Sequence, residues 1–134
     1  MRIAAAERRW LRRELRGAQE LRCPYCGEDL PRRLTCGPDC ATFDHVEPAR
    51  VPHRAYSRHQ REGLRDQLLI RNALLVHSHC NRAKANRRPT ACELIWLAAV
   101  NLALASVWAE IEHRCREGEP GLTSPHVQAP ASAA

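Results

Sequence analysis

Two pairs of side chains with a two-residue gap, Cys23-Pro24-Tyr25-Cys26 and His77-Ser78-His79-Cys80, stand about fifty residues apart in a chain of only 134. A gap of that size lets both members of a knuckle reach one tetrahedral ion, and two such pairs complete a closed structural zinc site. If Cys23, Cys26, His77 and Cys80 share one ion, the intervening segment must fold back on itself, and the ion supplies folding energy that a small core lacks. The core is expected to be modest and aliphatic: hydrophobic residues make up 44%, yet only Trp10, Tyr25, Phe43, Tyr56, Trp96 and Trp108 are aromatic. Two rivals use the same cysteines. Cys36 and Cys40 could join Cys23 and Cys26 in a local four-cysteine finger, leaving His77 and Cys80 spare. A redox Cys-x-x-Cys would need a thioredoxin-like βαβ unit, and nothing nearby resembles one.

The cysteine count is seven, and residues 1–9 lack the apolar run of a signal peptide. Reduced thiols in a cytoplasmic protein are therefore expected, with Cys92 and Cys115 as ordinary buried or half-buried residues. The length fits one domain and excludes a large multidomain enzyme. The longest apolar stretch, Leu94 to Trp108, is interrupted by Asn101 and too short to span a bilayer. The formal charge is +6, and twenty of the 21 basic residues are arginine, Lys84 being the exception. Arginine's planar fork suits phosphate, which makes nucleic acid the leading partner class, although GC-rich coding would also favour arginine.

Trp10, Leu11, Leu15 and Ala18 recur at helical spacing within residues 3–20, with Arg8, Arg9, Arg12, Arg13 and Arg16 on the other faces. That basic helix reads either as a DNA-backbone contact or as a solvated surface over a small core. Cys23 to Cys40 is rich in Gly, Pro and Cys and suits turns. Ala41–Val46 and Asn72–Val76 read as short strands, with a helix around Tyr56–Leu69 in the polar connector. Cys80–Arg88 reads as a short helix stopped by Pro89. Thr90 and Glu93 form a capping box for a long helix over 90–116. Residues 117–134 are Pro-, Ala- and Ser-rich and are expected to be disordered.

A second constellation comprises Asp44-His45, Asn72 and Asn81. A carboxylate and an amide oxygen, completed by water and phosphate, suit a hard divalent cation such as Mg²⁺. Beside it His45 could take a proton from water. Neighbours on a strand leave opposite faces, so Asp44 and His45 meet one centre only where the strand end turns.

Taken together and in order, CPYCG, ATFDHVEP and NALLVHSHCNRAKANR resemble an HNH endonuclease of the ββα-metal superfamily, in its zinc-knuckle branch, over residues 21–88. The resemblance implies a small α+β fold with a ββα-metal core and a structural zinc on Cys23, Cys26, His77 and Cys80; the flanking helices at 3–20 and 90–116 lie outside it. It implies that His45 is the general base, Asp44 and Asn81 the ligands of a catalytic divalent ion, and Asn72 the residue that holds the loop and orients the base. Two departures stand out. The second knuckle is His-x-x-Cys, which makes His79 a competing ligand. The connector 47–71 lacks the family's frequent Gly-Gly turn and carries His53 and His59, read as loop residues or as phosphate contacts.

The resulting expectation is a metal-dependent DNA endonuclease of residues 1–116 that hydrolyses phosphodiester bonds, with Arg82, Lys84, Arg87 and Arg88 holding the DNA backbone. The alternative is a zinc-stapled nucleic-acid-binding module without catalysis. A third reading makes the chain a protein partner within a phage or mobile-element assembly.

Overall fold

The computed structural model describes residues 1–32 and 40–117. Helix α1 (Ala5–Ala18) is followed by strand β1 (Ala41–His45), helix α2 (Arg58–Leu69), strand β2 (Ala73–His77), the short helix α3 (Ser78–Lys84) and two C-terminal helices, α4 (Ala91–Ala103) and α5 (Ala105–Glu117). The strands pair antiparallel, with Ala41 opposite His77 and His45 opposite Ala73. The fold is α+β, and its elements fall close to those expected from periodicity. Cys36, a ligand of the rival four-cysteine finger, and residues 118–134 of the expected disordered tail lie outside the described residues, while Glu117, expected to open that tail, ends α5.

In α1, Leu11 and Leu15 are fully buried, one turn apart, while Arg9 and Arg13 are exposed. No glycine ends this helix: Glu20 and Leu21 adopt left-handed backbone themselves, with φ of 52° and 64°. The turn places Gln19 wholly inside the protein, where its amide accepts from Leu75 N at 2.8 Å and donates to Leu75 O at 2.7 Å. A side chain thus occupies the place of a third strand beside β2, meeting backbone groups that a two-stranded sheet would leave unpaired. Every residue of β2 is buried, which explains why it reads as an apolar run rather than an alternation.

The capping box expected from the sequence forms, and so does a second. Ser57 and Gln60 cap α2, fixing its start inside the polar connector, and Thr90 and Glu93 cap α4. Glu93 also binds Arg87 through two contacts, at 2.9 and 2.5 Å. The Arg87 hydrogen bond, with help from the Thr90 backbone, holds the Glu93 carboxyl below the usual range. A depressed folded value means stability that is complete above the unfolded value of about 4.3 and lost as pH falls through the folded one. Thr90→Ala is expected to cost about 1 kcal/mol. Glu93→Gln should be destabilising at pH 7, with its gap from wild type closing below about pH 4 in denaturant melts.

The helix expected over 90–116 is two helices bent by 75° at Leu104. Neither Pro nor Gly stands at the bend, which is why no sequence signal announced it. Asn101 instead ties the region down: it donates to Arg71 O at 2.7 Å and accepts the Trp108 indole N–H at 3.0 Å. The bend lets Val100 and Leu104 on one arm and Trp108 and Ile111 on the other enter the same core. Among the described residues, no single helix is long and apolar enough to cross a membrane.

Candidate functional site

Residues 21–30 form a tight hairpin, closed by Cys23 N to Glu28 O at 2.9 Å and Leu30 N to Leu21 O at 2.6 Å. Gly27, directly after Cys26, has φ of 76°, a conformation that costs a residue with Cβ about 1 kcal/mol or more. This turn aims Cys23 and Cys26 toward the junction of β2 and α3, where His77 and Cys80 stand. The ligand atoms of Cys23, Cys26, His77 and Cys80 lie within 4.8 Å of one another, a Cys₃His cluster compatible with structural zinc.

The imidazole is set for the task. His77 Nε2 lies 2.9 Å from Asp29 O, and a carbonyl only accepts, so the proton sits on Nε2 and Nδ1 is left as a donor atom toward the ion. That Nδ1 is 3.3 Å from Cys26 Sγ. Burial first, then the thiols of Cys23 and Cys26, pushes the Cys80 thiol up to about 12. A divalent cation among these sulfurs would reverse that balance, since a coordinating thiol loses its proton outright. His79 is exposed and stacks on His77 with centroids 5.1 Å apart; it is not one of the four clustered ligands. Cys40 also stands apart from them, Cys92 is exposed rather than buried, and Cys115 is buried.

Asp44 and His45 leave β1 on opposite faces. Asp44 is buried, and its Oδ2 accepts both from Lys84 Nζ at 2.7 Å and from the Tyr25 hydroxyl. Lys84, expected at the DNA backbone, is instead buried: its ammonium also donates to His45 O at 2.8 Å and Val46 O at 2.9 Å. No sequence signal announces this, because a lysine in a helix's last turn normally points to water. Tyr25, between the two knuckle cysteines, thereby links the metal cluster to β1. Burial and its hydrogen bond to Asp44 push the Tyr25 hydroxyl up, so it stays a donor. Removing one member of a buried ion pair leaves the other uncompensated, so Lys84→Met is expected to destabilise by about 3–5 kcal/mol. Asp44→Asn combined with Lys84→Met should recover part of that loss in urea melts.

Asn81, on α3, donates weakly to Phe43 O at 3.4 Å, one residue from Asp44. Asn72 accepts from Glu47 N at 2.8 Å and donates to Glu47 O at 2.9 Å and Leu68 O at 3.2 Å. One amide thus binds the end of α2 to the chain leaving β1. On the far face of β1, His45 Nε2 lies 2.8 Å from Arg65 O. By the same carbonyl argument its proton sits on Nε2, and Nδ1 keeps its lone pair.

His45 lines an open cleft of about 420 Å³ between α1, β1 and α2, which sequence reasoning missed. Its wall holds Arg2, Arg8, Arg12 and Arg65 against the carboxylates of Glu62 and Asp66. Arg12 lies over the Phe43 ring at 5.0 Å. Of the other arginines expected at DNA, Arg82 and Arg88 are exposed, whereas Arg87 is tied to Glu93 and lies 5.9 Å from the Tyr25 ring. His59 Nδ1 is 3.4 Å from an Arg2 nitrogen, and His53 offers its backbone carbonyl to Arg61. No family model, curated protein or solved structure matches the chain.

Proposed function

We propose that this protein is an HNH-type endonuclease that hydrolyses phosphodiester bonds in DNA, its Cys₃His cluster holding a structural zinc. The observation that carries the reading is His45. Its Nε2–H is held by the Arg65 carbonyl, which leaves the Nδ1 lone pair free of that bond, and the residue lines a cleft rich in arginine. That is the arrangement a general base needs: one nitrogen anchored, the other ready to take a proton from water as its oxygen attacks phosphorus. The Asn72 bridge between Glu47 and Leu68 supports it, since it fixes α2, and with it the Arg65 carbonyl, against the strand that bears His45.

Asp44 and Asn81 would hold the catalytic divalent ion. The donor chemistry fits: Asp44 Oδ1 takes no hydrogen bond among the described residues, and the Asn81 amide uses its nitrogen rather than its oxygen. Such an ion supplies stabilisation of the charge that develops on the leaving oxygen. Lys84, already on Oδ2, orients the carboxylate and leaves it a weaker cation ligand than a free Asp.

Supercoiled plasmid incubated with zinc-replete protein should be converted to nicked or linear form in Mg²⁺ or Mn²⁺ and remain intact with excess chelator. Binding to uncut duplex should weaken steeply with salt, as counterion release requires. Salt-sensitive binding with an intact plasmid under every divalent ion would favour the non-catalytic module.

A further inference from the structure

The cleft beside His45 lies where α1 and α2 meet β1, away from α3, and its charges are not balanced internally. Asp66 is buried and saturated: Oδ1 pairs with Arg8, while Oδ2 accepts from Ile3 N at 2.9 Å and stands 3.6 Å from Arg2. Glu62 is engaged by Arg2 at 2.7 Å and Arg58 at 3.2 Å. The two carboxylates are therefore committed to other arginines. Arg12 and Arg65 form no ion pair among the described residues, and Arg12 Nε is buried without a hydrogen-bond partner. A half-buried guanidinium over the Phe43 ring with its Nε unmet lacks an acceptor. Its neighbour Arg13 has a side chain 77% exposed and, among the described residues, pairs with Glu14 alone, at 3.7 Å. The basic surface of α1 thus divides into an inward arginine and a solvated one.

We infer that Arg12 and Arg65 seat a phosphate of the nucleic-acid backbone in the cleft beside His45, so that α1 belongs to the substrate site. This rests on the nuclease reading for the identity of the ligand. The bidentate fork of Arg12 meets two phosphoryl oxygens, and Arg65 presents its guanidinium from the helix whose carbonyl anchors His45. Arg12 is a positioning residue: it transfers no proton and orients the phosphate toward the histidine.

The test measures the affinity of a duplex oligonucleotide without divalent ion, across a salt series, for wild type, Arg12→Met, Arg12→Lys, Arg65→Met and Arg13→Met. Zinc content and melting temperature are checked for each. Arg12→Met and Arg65→Met are each expected to weaken binding about ten-fold at 0.1 M salt and to flatten the salt slope by about one phosphate contact. Arg12→Lys should regain the slope but not the full affinity, and Arg13→Met should match wild type. Folded Arg12 and Arg65 variants that bind and cleave like Arg13→Met would overturn the cleft assignment while leaving the nuclease reading intact. A wild type that neither binds nor cleaves DNA would overturn both.

Discussion

Stripping the metal is expected to abolish the cooperative unfolding transition of this protein or lower its midpoint by roughly 10 °C or more, since a loss of about 3 kcal/mol already does so at this size. The reason lies in the placement of the four ligands. Cys23 and Cys26 sit on a hairpin that the cluster, the Tyr25 hydroxyl on Asp44, the His77–Asp29 hydrogen bond and the buried Leu30 tie to the rest of the fold, and the cluster joins both of its cysteines to β2 and α3 at once. Structural zinc in small modules contributes about 10–16 kcal/mol of apparent binding free energy, comparable with the whole stability of a small domain. Metal analysis should give one zinc per chain in wild type and none in Cys80→Ser. Cys40→Ser and Cys36→Ser should retain it. Loss of zinc from Cys36→Ser, with retention by Cys80→Ser, would move the site to the local four-cysteine alternative.

The ligand set was legible in the sequence because two-residue gaps and tetrahedral coordination leave few solutions, and because CPYCG writes its own turn through Gly27. The strands, α2 and the cap of α4 were legible for similarly local reasons. What escaped depends on contacts between distant segments. The bend at Leu104 rests on Asn101 reaching Arg71, thirty positions away. Lys84 looked like a phosphate ligand because its helix is short and basic, and only the strand passing beneath it shows that its charge belongs to Asp44. The cleft brings Arg12 to Phe43 and His45 to Arg65, pairings with no shared period or motif. The alternation rule anticipates that Asp44 and His45 face apart, and because His45 is the last residue of β1 the proposed base and the proposed ion share the strand end that one phosphate would have to reach.

The second large effect concerns His45. It ligates no zinc and takes no part in the buried pair, so replacing it should leave metal content, melting temperature and duplex affinity near wild type while removing proton transfer. General-base catalysis contributes about 10²- to 10⁴-fold, so His45→Ala should fall by that range in cleavage rate. Asn72→Ala should lower the rate less and alter the stability as well, because it loosens the Glu47 and Leu68 bridge rather than deleting the base.

The decisive measurement is the initial rate of supercoiled-plasmid conversion by zinc-replete wild type and His45→Ala side by side, in Mg²⁺, Mn²⁺ and Ni²⁺ and in chelator, with circular dichroism confirming that both are folded. The account predicts cleavage by wild type that depends on the divalent ion, and a loss of at least about a hundred-fold in His45→Ala with binding retained. Folded, DNA-binding wild type whose rate is indistinguishable from that of His45→Ala under every ion would contradict it.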